Sequence, residues 1–299
     1  MKSSKKSKKT GFTPAAKLII IVMASIIAVV LAVLLLSVAG VRYLIVENPD
    51  GTQTRFVGLV SIHGEALNGT VYFADGSGAR ISERGGRTVY ADGSVYLGAL
   101  NPQFRREGTG EYTLPNGDKY IGEFIDGQMT GKGQYFYAGG DTYTGDFVCG
   151  ELTGAGRYVF ASGDVYVGDL VMGKKEGTGK YTYLNGDVYE GGFRGDLRDG
   201  TGVMKFADGA TYSGGYLQGL KQGGGVYQYA NGDVYDGEFY RDMRQGKGTY
   251  TWANGESYSG EFFANRIHGW GIYTWVEEGR VSYEGYFEAG SIKIVEEDK

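Results

Sequence analysis

Two histidines, one cysteine and a recurring aspartate are the side chains of this chain with the types to do chemistry. His63 and His268 stand about 200 residues apart, so they build no Ser-His-Asp, Cys-His or metal-ligand cluster. His268 and Cys149 are both expected in hairpin loops. The acids Asp146 and Glu151 flank Cys149, the opposite of the electropositive setting that activates a thiol. A single cysteine forms no intramolecular disulfide. Asp118, Asp141, Asp164, Asp187 and Asp233 each follow a turn glycine. Such a row suggests Ca²⁺, yet calcium needs roughly six to eight oxygens converging within about 2.6 Å. One Asp per repeat supplies only about one carboxylate per ~10 Å of stacked strands, and Ser94 and Ala210 interrupt the row. Hydrogen bonding inside the turn explains these aspartates better. A glycosidase-type carboxylate pair lacks a second layer to form a pocket. The expectation is a chain with no catalytic residue, metal or cofactor, and no enzyme activity.

The repeated chemistry is aromatic. Tyr137, Phe160, Tyr183, Phe206, Tyr229, Trp252 and Trp275 fall in one column at constant spacing, with Trp270 nearby between Gly269 and Gly271. A row of rings receives a peptide, an acyl chain or a sugar face. It serves equally as core if the rings pack on one another. These eight residues are the candidate binding face. The loops of about six residues inside each unit, such as Ile125 to Thr130 and Arg241 to Gln245, are expected to vary freely and carry specificity.

The elements that position these rings follow from a repeat. Tyr-x-Gly recurs at Tyr96, Tyr120, Tyr143, Tyr166, Tyr189, Tyr212, Tyr235, Tyr258 and Tyr283, at intervals of 24, six times 23, and 25. Each unit reads Tyr-x-Gly-x-Phe, a loop, Gly-x-Gly-x-Tyr-x-Tyr and a turn ending in Gly-Asp, as in YDGEFYRDMRQGKGTYTWANGES from Tyr235. Tyr143, Gly145 and Phe147 are two apart and share one face of a strand, while Thr144 and Asp146 take the other. Gly156, Tyr158 and Phe160 repeat this on a second strand. Asn-Gly or Asp-Gly at 116–117, 185–186, 208–209, 231–232 and 254–255 signals hairpins. A strand-interior Gly leaves a slot that a neighbouring ring can cover. Burying one such ring contributes on the order of 4–6 kcal/mol at most, enough for a curved sheet without a second layer. The fold class expected is all-β: an elongated, single-layer antiparallel meander of some 16 or more strands, preceded by one transmembrane helix.

The motif resembles the MORN (membrane occupation and recognition nexus) repeat, whose units share the Y-x-G-x-F and G-x-G framework. The resemblance covers Tyr96 to about Gly290, roughly eight units. Residues 56–95 resemble one or two worn units, with Phe56-x-Gly58-x-Val60 in place of Tyr-x-Gly-x-Phe. The resemblance implies contacts with protein or lipid at membranes.

Composition and charge narrow the partners. The chain has 54 Gly, 25 Tyr and only 4 Pro in 299 residues, against roughly 7% Gly in ordinary proteins. Residues 1–17 carry six lysines and no acid, which leaves 24 bases against 35 acids in the rest, a net −11. An acidic body is a poor match to nucleic acid or anionic headgroups. Leu18 to Ala39 is 22 residues without charge or proline, about 33 Å as a helix and enough to cross a bilayer. Ser37-Val38-Ala39 also resembles a signal-peptidase site, but the apolar run exceeds the roughly 7–15 residues of a cleaved signal. Lysines before the span and only Arg42 against Glu47 and Asp50 after it place the N-terminus in the cytoplasm and the repeats outside.

The expected organisation is a basic tail at 1–17, a transmembrane helix at 18–41, degenerate repeats or a cap at 42–95, and a repeat array at 96–290. A C-terminal cap and acidic tail at 291–299 complete it. The expected function is a membrane-anchored, non-catalytic scaffold that engages a protein partner or associates with itself. Lipid recognition by the repeats and carbohydrate binding on the aromatic face are the alternatives.

Overall fold

The computed structural model describes residues 14–276 and 282–293. Most of the basic tail and the end of the C-terminal cap (1–13 and 294–299) lie outside the described residues. The chain forms two compact units, residues 1–115 and 116–299.

The first unit opens with the helix Pro14–Val38. It is apolar on every side, and the window from Lys17 to Val38 is wholly unburied. The Ser25 hydroxyl donates to the Ile21 carbonyl one turn back, 2.9 Å away, so it adds no unsatisfied polar group to an apolar helix. Gly40 ends the helix at φ +82°, and the chain is already a strand at Val41. The helix therefore stops two to three residues before the boundary expected at 41, because only a left-handed residue turns the chain this sharply. Seven strands follow, Val41–Glu47 through Arg106–Thr113, each antiparallel to the next. Their core is Phe56, Val71, Ala79, Ile81 and Phe104. The Phe56 ring lies across Gly58 and Gly69 on paired strands and stacks on Phe104 at 5.3 Å.

The second unit is a meander of 16 strands among its described residues, again each antiparallel to the next. Seven-residue strands such as Thr142–Val148 alternate with nine-residue strands such as Glu151–Val159. Two turn chemistries make that alternation. Inside a repeat the strands join through two residues that both hold positive φ, such as Cys149 (+50°) and Gly150 (+87°), or Ala264 (+48°) and Asn265 (+71°). This is the type I′ hairpin, whose twist matches that of the strands. Between repeats the loop has three residues: the Gly140 N–H donates to the Tyr137 carbonyl and the Tyr137 N–H to the Asp141 carbonyl, with Gly140 at φ +98°. The long loops expected inside each repeat are thus tight turns, because the residues around the turn pair as strand. The Asn-Gly and Asp-Gly dipeptides occupy the three-residue loops, not the two-residue turns they suggest.

Candidate binding face

One tyrosine per repeat organises the face. Tyr120, Tyr143, Tyr166, Tyr189, Tyr212, Tyr235 and Tyr258 are completely buried, as is Tyr96 in the first unit. The ring of Tyr143 lies over Gly145 on its own strand and Gly156 opposite, which pair with each other. A Cβ on Gly145 would come within 2.6 Å of the Gly156 Cα, so neither position accepts a side chain. Just past this pair the register jumps, from Gly145↔Gly156 to Phe147↔Leu152. That bulge takes the Asp146 carbonyl out of the ladder, and the Tyr143 hydroxyl donates to it at 3.0 Å. Tyr166, Tyr189, Tyr212, Tyr235 and Tyr258 make the same bond three residues on, at 2.8–3.1 Å. Burial pushes the Tyr143 phenol up to about 12. Where the motif carries Phe, as in these repeats, the ring meets two tyrosines edge-on: Phe193 touches Tyr166 and Tyr189, and Phe239 touches Tyr212 and Tyr235. T-shaped contacts of this kind add about 0.5–1.5 kcal/mol each beyond area burial.

A second aromatic column lies beside the first. Tyr158 sits opposite Tyr143, and its hydroxyl donates to Asp141 Oδ2 at 2.6 Å. Asp141 Oδ1 accepts the Ala161 N–H at 2.7 Å. Asp118, Asp164 and Asp233 repeat both bonds, to residues 17 and 20 positions later. The aspartate row is therefore a set of struts between successive repeats. Turn hydrogen bonding, the reading from sequence, is the lesser part of its role. The Ala138 N–H foremost holds the Asp118 carboxyl below the usual range, and the Tyr250 hydroxyl does so for Asp233.

Tyr137, Phe160, Tyr183, Phe206, Tyr229, Trp252 and Trp275 form the outer column, all half-buried on the same face. They alternate with the second column in a zigzag: Tyr135–Tyr137 4.5 Å, Tyr137–Tyr158 5.9 Å, Tyr158–Phe160 4.5 Å, and at the far end Trp252–Tyr273 5.2 Å. Met204 stands where another repeat has tyrosine. Trp270 does not belong with these rings. It is 62% exposed and one residue out of phase with Tyr273 and Trp275, so it faces the opposite side of the sheet. His268, expected in a loop, lies in the strand Arg266–Thr274 opposite Glu261. Cys149 is exposed in its turn.

A feature missed in the sequence is a row of cations across the rings. Lys175, Arg198, Lys221 and Arg244 occupy the same position of four successive repeats. Lys221 Nζ lies 5.0 Å from the Tyr227 ring, and the guanidinium carbons of Arg198 and Arg244 lie 4.9 Å and 5.0 Å from Tyr216 and Tyr250. Such contacts are favourable for a charge held over a ring face. Their heads also tie adjacent repeats together: Arg198 donates to the Gly219 carbonyl, Arg244 to the Asn265 carbonyl, and Lys175 pairs with Asp196. Burial lowers the Lys221 pKa. The 23-residue spacing of these four was the available signal. Beside Lys175, the rings of Tyr137, Tyr158, Phe160 and Tyr166 line a recess of about 290 Å³ with Glu151 and Asp196.

A family model described as MORN repeat matches residues 105–119, 120–142, 143–165, 166–188, 189–211, 212–234, 235–257 and 258–280. No curated protein matches the chain. Similar solved structures include the SAS-4 (dCPAP) TCP domain of Drosophila melanogaster in complex with a proline-rich motif of Ana2 (dSTIL). It is 16% identical, has a TM-score of 0.33, and the match covers 53% of this chain and 85% of that one. A mutant TCP10 domain of Danio rerio CPAP is 15% identical with a TM-score of 0.34, covering 72% and 96%. The eight contiguous matches take in more than half of the chain, and the chain belongs to the MORN repeat family.

Proposed function

We propose that this protein is a membrane-anchored, non-catalytic scaffold whose ring face binds an extended segment of a protein partner. The outer column carries the proposal: seven rings at one repeat spacing stay half-exposed while the tyrosines of the first column are fully buried. Buried rings make the fold, and a half-exposed row offers area to a ligand that runs along it. The neighbouring cations and the carboxylates of Glu151 and Asp196 give such a segment polar anchors. Family membership supports a binding or scaffold role. The N-terminal helix, long and apolar enough to cross a membrane, acts as a signal-anchor with its lysines inside and the repeats outside. The worn units at 42–95 precede the array in the chain, and the strand Ser291–Lys293 caps its far end.

Peptides selected from a displayed random library on the full chain in nanodiscs test this reading. Trp252→Ala with Trp275→Ala is expected to weaken the selected peptides at least tenfold. Affinity unchanged in that variant would reject the ring face. Binding of peptide-free neutral vesicles by the repeats, lost in the same variant, would favour acyl-chain recognition instead.

A further inference from the structure

The strand Val41–Glu47 is the open edge of the first unit. It pairs with Gln53–Val60 in unbroken register from Val41↔Leu59 to Glu47↔Gln53, and among the described residues no strand pairs with its other side. The Val60 N–H donates to the Gly40 carbonyl at 3.2 Å, continuing that register. Bonded and non-bonded pairs alternate along an antiparallel ladder. The even-numbered residues of this strand therefore spend their N–H and C=O groups on the neighbouring strand. Val41, Tyr43, Ile45 and Glu47 present theirs to the open side.

Such edges are usually blunted by lysine, proline, a bulge or shortness. This one is seven residues, regular, and free of lysine and proline. Its single cation, Arg42, turns back onto the Ser37 carbonyl at 2.6 Å. Tyr43 and Ile45 share one face and are 59% and 54% exposed. The last strand among the described residues differs: Ser291–Lys293 is three residues long and its lysine pairs with Glu288.

We infer that two copies of this chain join through this strand, antiparallel about a two-fold axis at Leu44. That register overlaps all seven residues. It sets Tyr43 against Ile45 of the second copy on both sides of the axis, and allows about eight backbone hydrogen bonds. Aromatic–β-branched cross-strand pairs are favourable. Only Ala39 and Gly40 separate the strand from the helix end at Val38, so confinement of the helix to a bilayer concentrates the edges in one plane. Ala24, Ala28 and Ala32 lie four apart on that helix, a spacing that lets two helices approach closely. The strand carries the inference, and the alanines are compatible with it.

The test uses the full chain in nanodiscs with Cys149→Ser. Leu44→Cys faces itself across the axis within disulfide reach and is expected to oxidise to a covalent dimer at least tenfold faster than Val46→Cys. Ile45→Pro removes an outward N–H without touching the internal ladder, and is expected to yield monomers by native mass spectrometry. Equal cross-linking rates, a monomeric parent, or dimers that survive Ile45→Pro would each overturn the inference. If Ile45→Pro fails to fold, the cross-linking comparison decides. The ring-face reading is untouched by any of these results.

Discussion

At the scale of the residue, each repeat is built on a tyrosine lying across two glycines. Adding a methyl at Gly156 would overlap the Tyr143 ring, and overpacking of this kind costs about 1–3 kcal/mol or more. Gly156→Ala is therefore expected to destabilise by at least that amount in urea titrations. Gly139 has open space around it, so Gly139→Ala is expected to be neutral or slightly stabilising. Equal effects at the two sites would refute the slot. Tyr143→Phe keeps the ring but leaves the Asp146 carbonyl without its donor, for an expected loss of about 1–3 kcal/mol. The same burial fixes an alkaline limit. The phenols of Tyr120, Tyr143, Tyr189, Tyr212, Tyr235 and Tyr258 are pushed up to about 12. A phenol whose folded pKa is raised contributes stability that is complete below its unfolded value near ~10 and is lost as pH rises through the folded value. Stability is expected to be level to about pH 9 and to fall between about pH 10 and 12. Tyrosinate absorbance should then rise together with loss of β-sheet signal. Full ionisation before unfolding would show that these rings are not buried.

At the scale of the element, the strands were legible and the turns were not. Alternation is a property of one strand, so Tyr143, Gly145 and Phe147 already declared their shared face in the sequence. The turns Cys149-Gly150, Gln218-Gly219 and Ala264-Asn265 share no residue pair; they share only positive φ at both positions. Side chains other than Gly or Asn pay about 1–2 kcal/mol there. Replacing Met172 (φ +49°) by Gly relieves that strain against roughly 0.5–1 kcal/mol of added chain entropy. Met172→Gly is expected to raise the melting temperature slightly, and a clear fall would contradict the turn assignment. The aspartate struts were hidden for another reason: their partners sit 17 and 20 residues ahead, beyond any local motif. Trp270 was misplaced because proximity in sequence suggested a shared column, while a shift of one residue reverses the face.

At the scale of the molecule, the buried tyrosines hold the sheet of the second unit together, and the outer column stands half-exposed on its ring face. On the proposed function this column, and not the opposite side of the sheet, receives a polypeptide. The most direct measurement is isothermal titration of one library-selected peptide into the full chain in nanodiscs, comparing Trp252→Ala plus Trp275→Ala with Trp270→Ala. Each truncated anchor ring is expected to cost about 1–2 kcal/mol, so the double variant should bind at least tenfold more weakly, while Trp270→Ala binds like the parent. Affinity that falls with Trp270→Ala and survives the double variant would move the site to the other face.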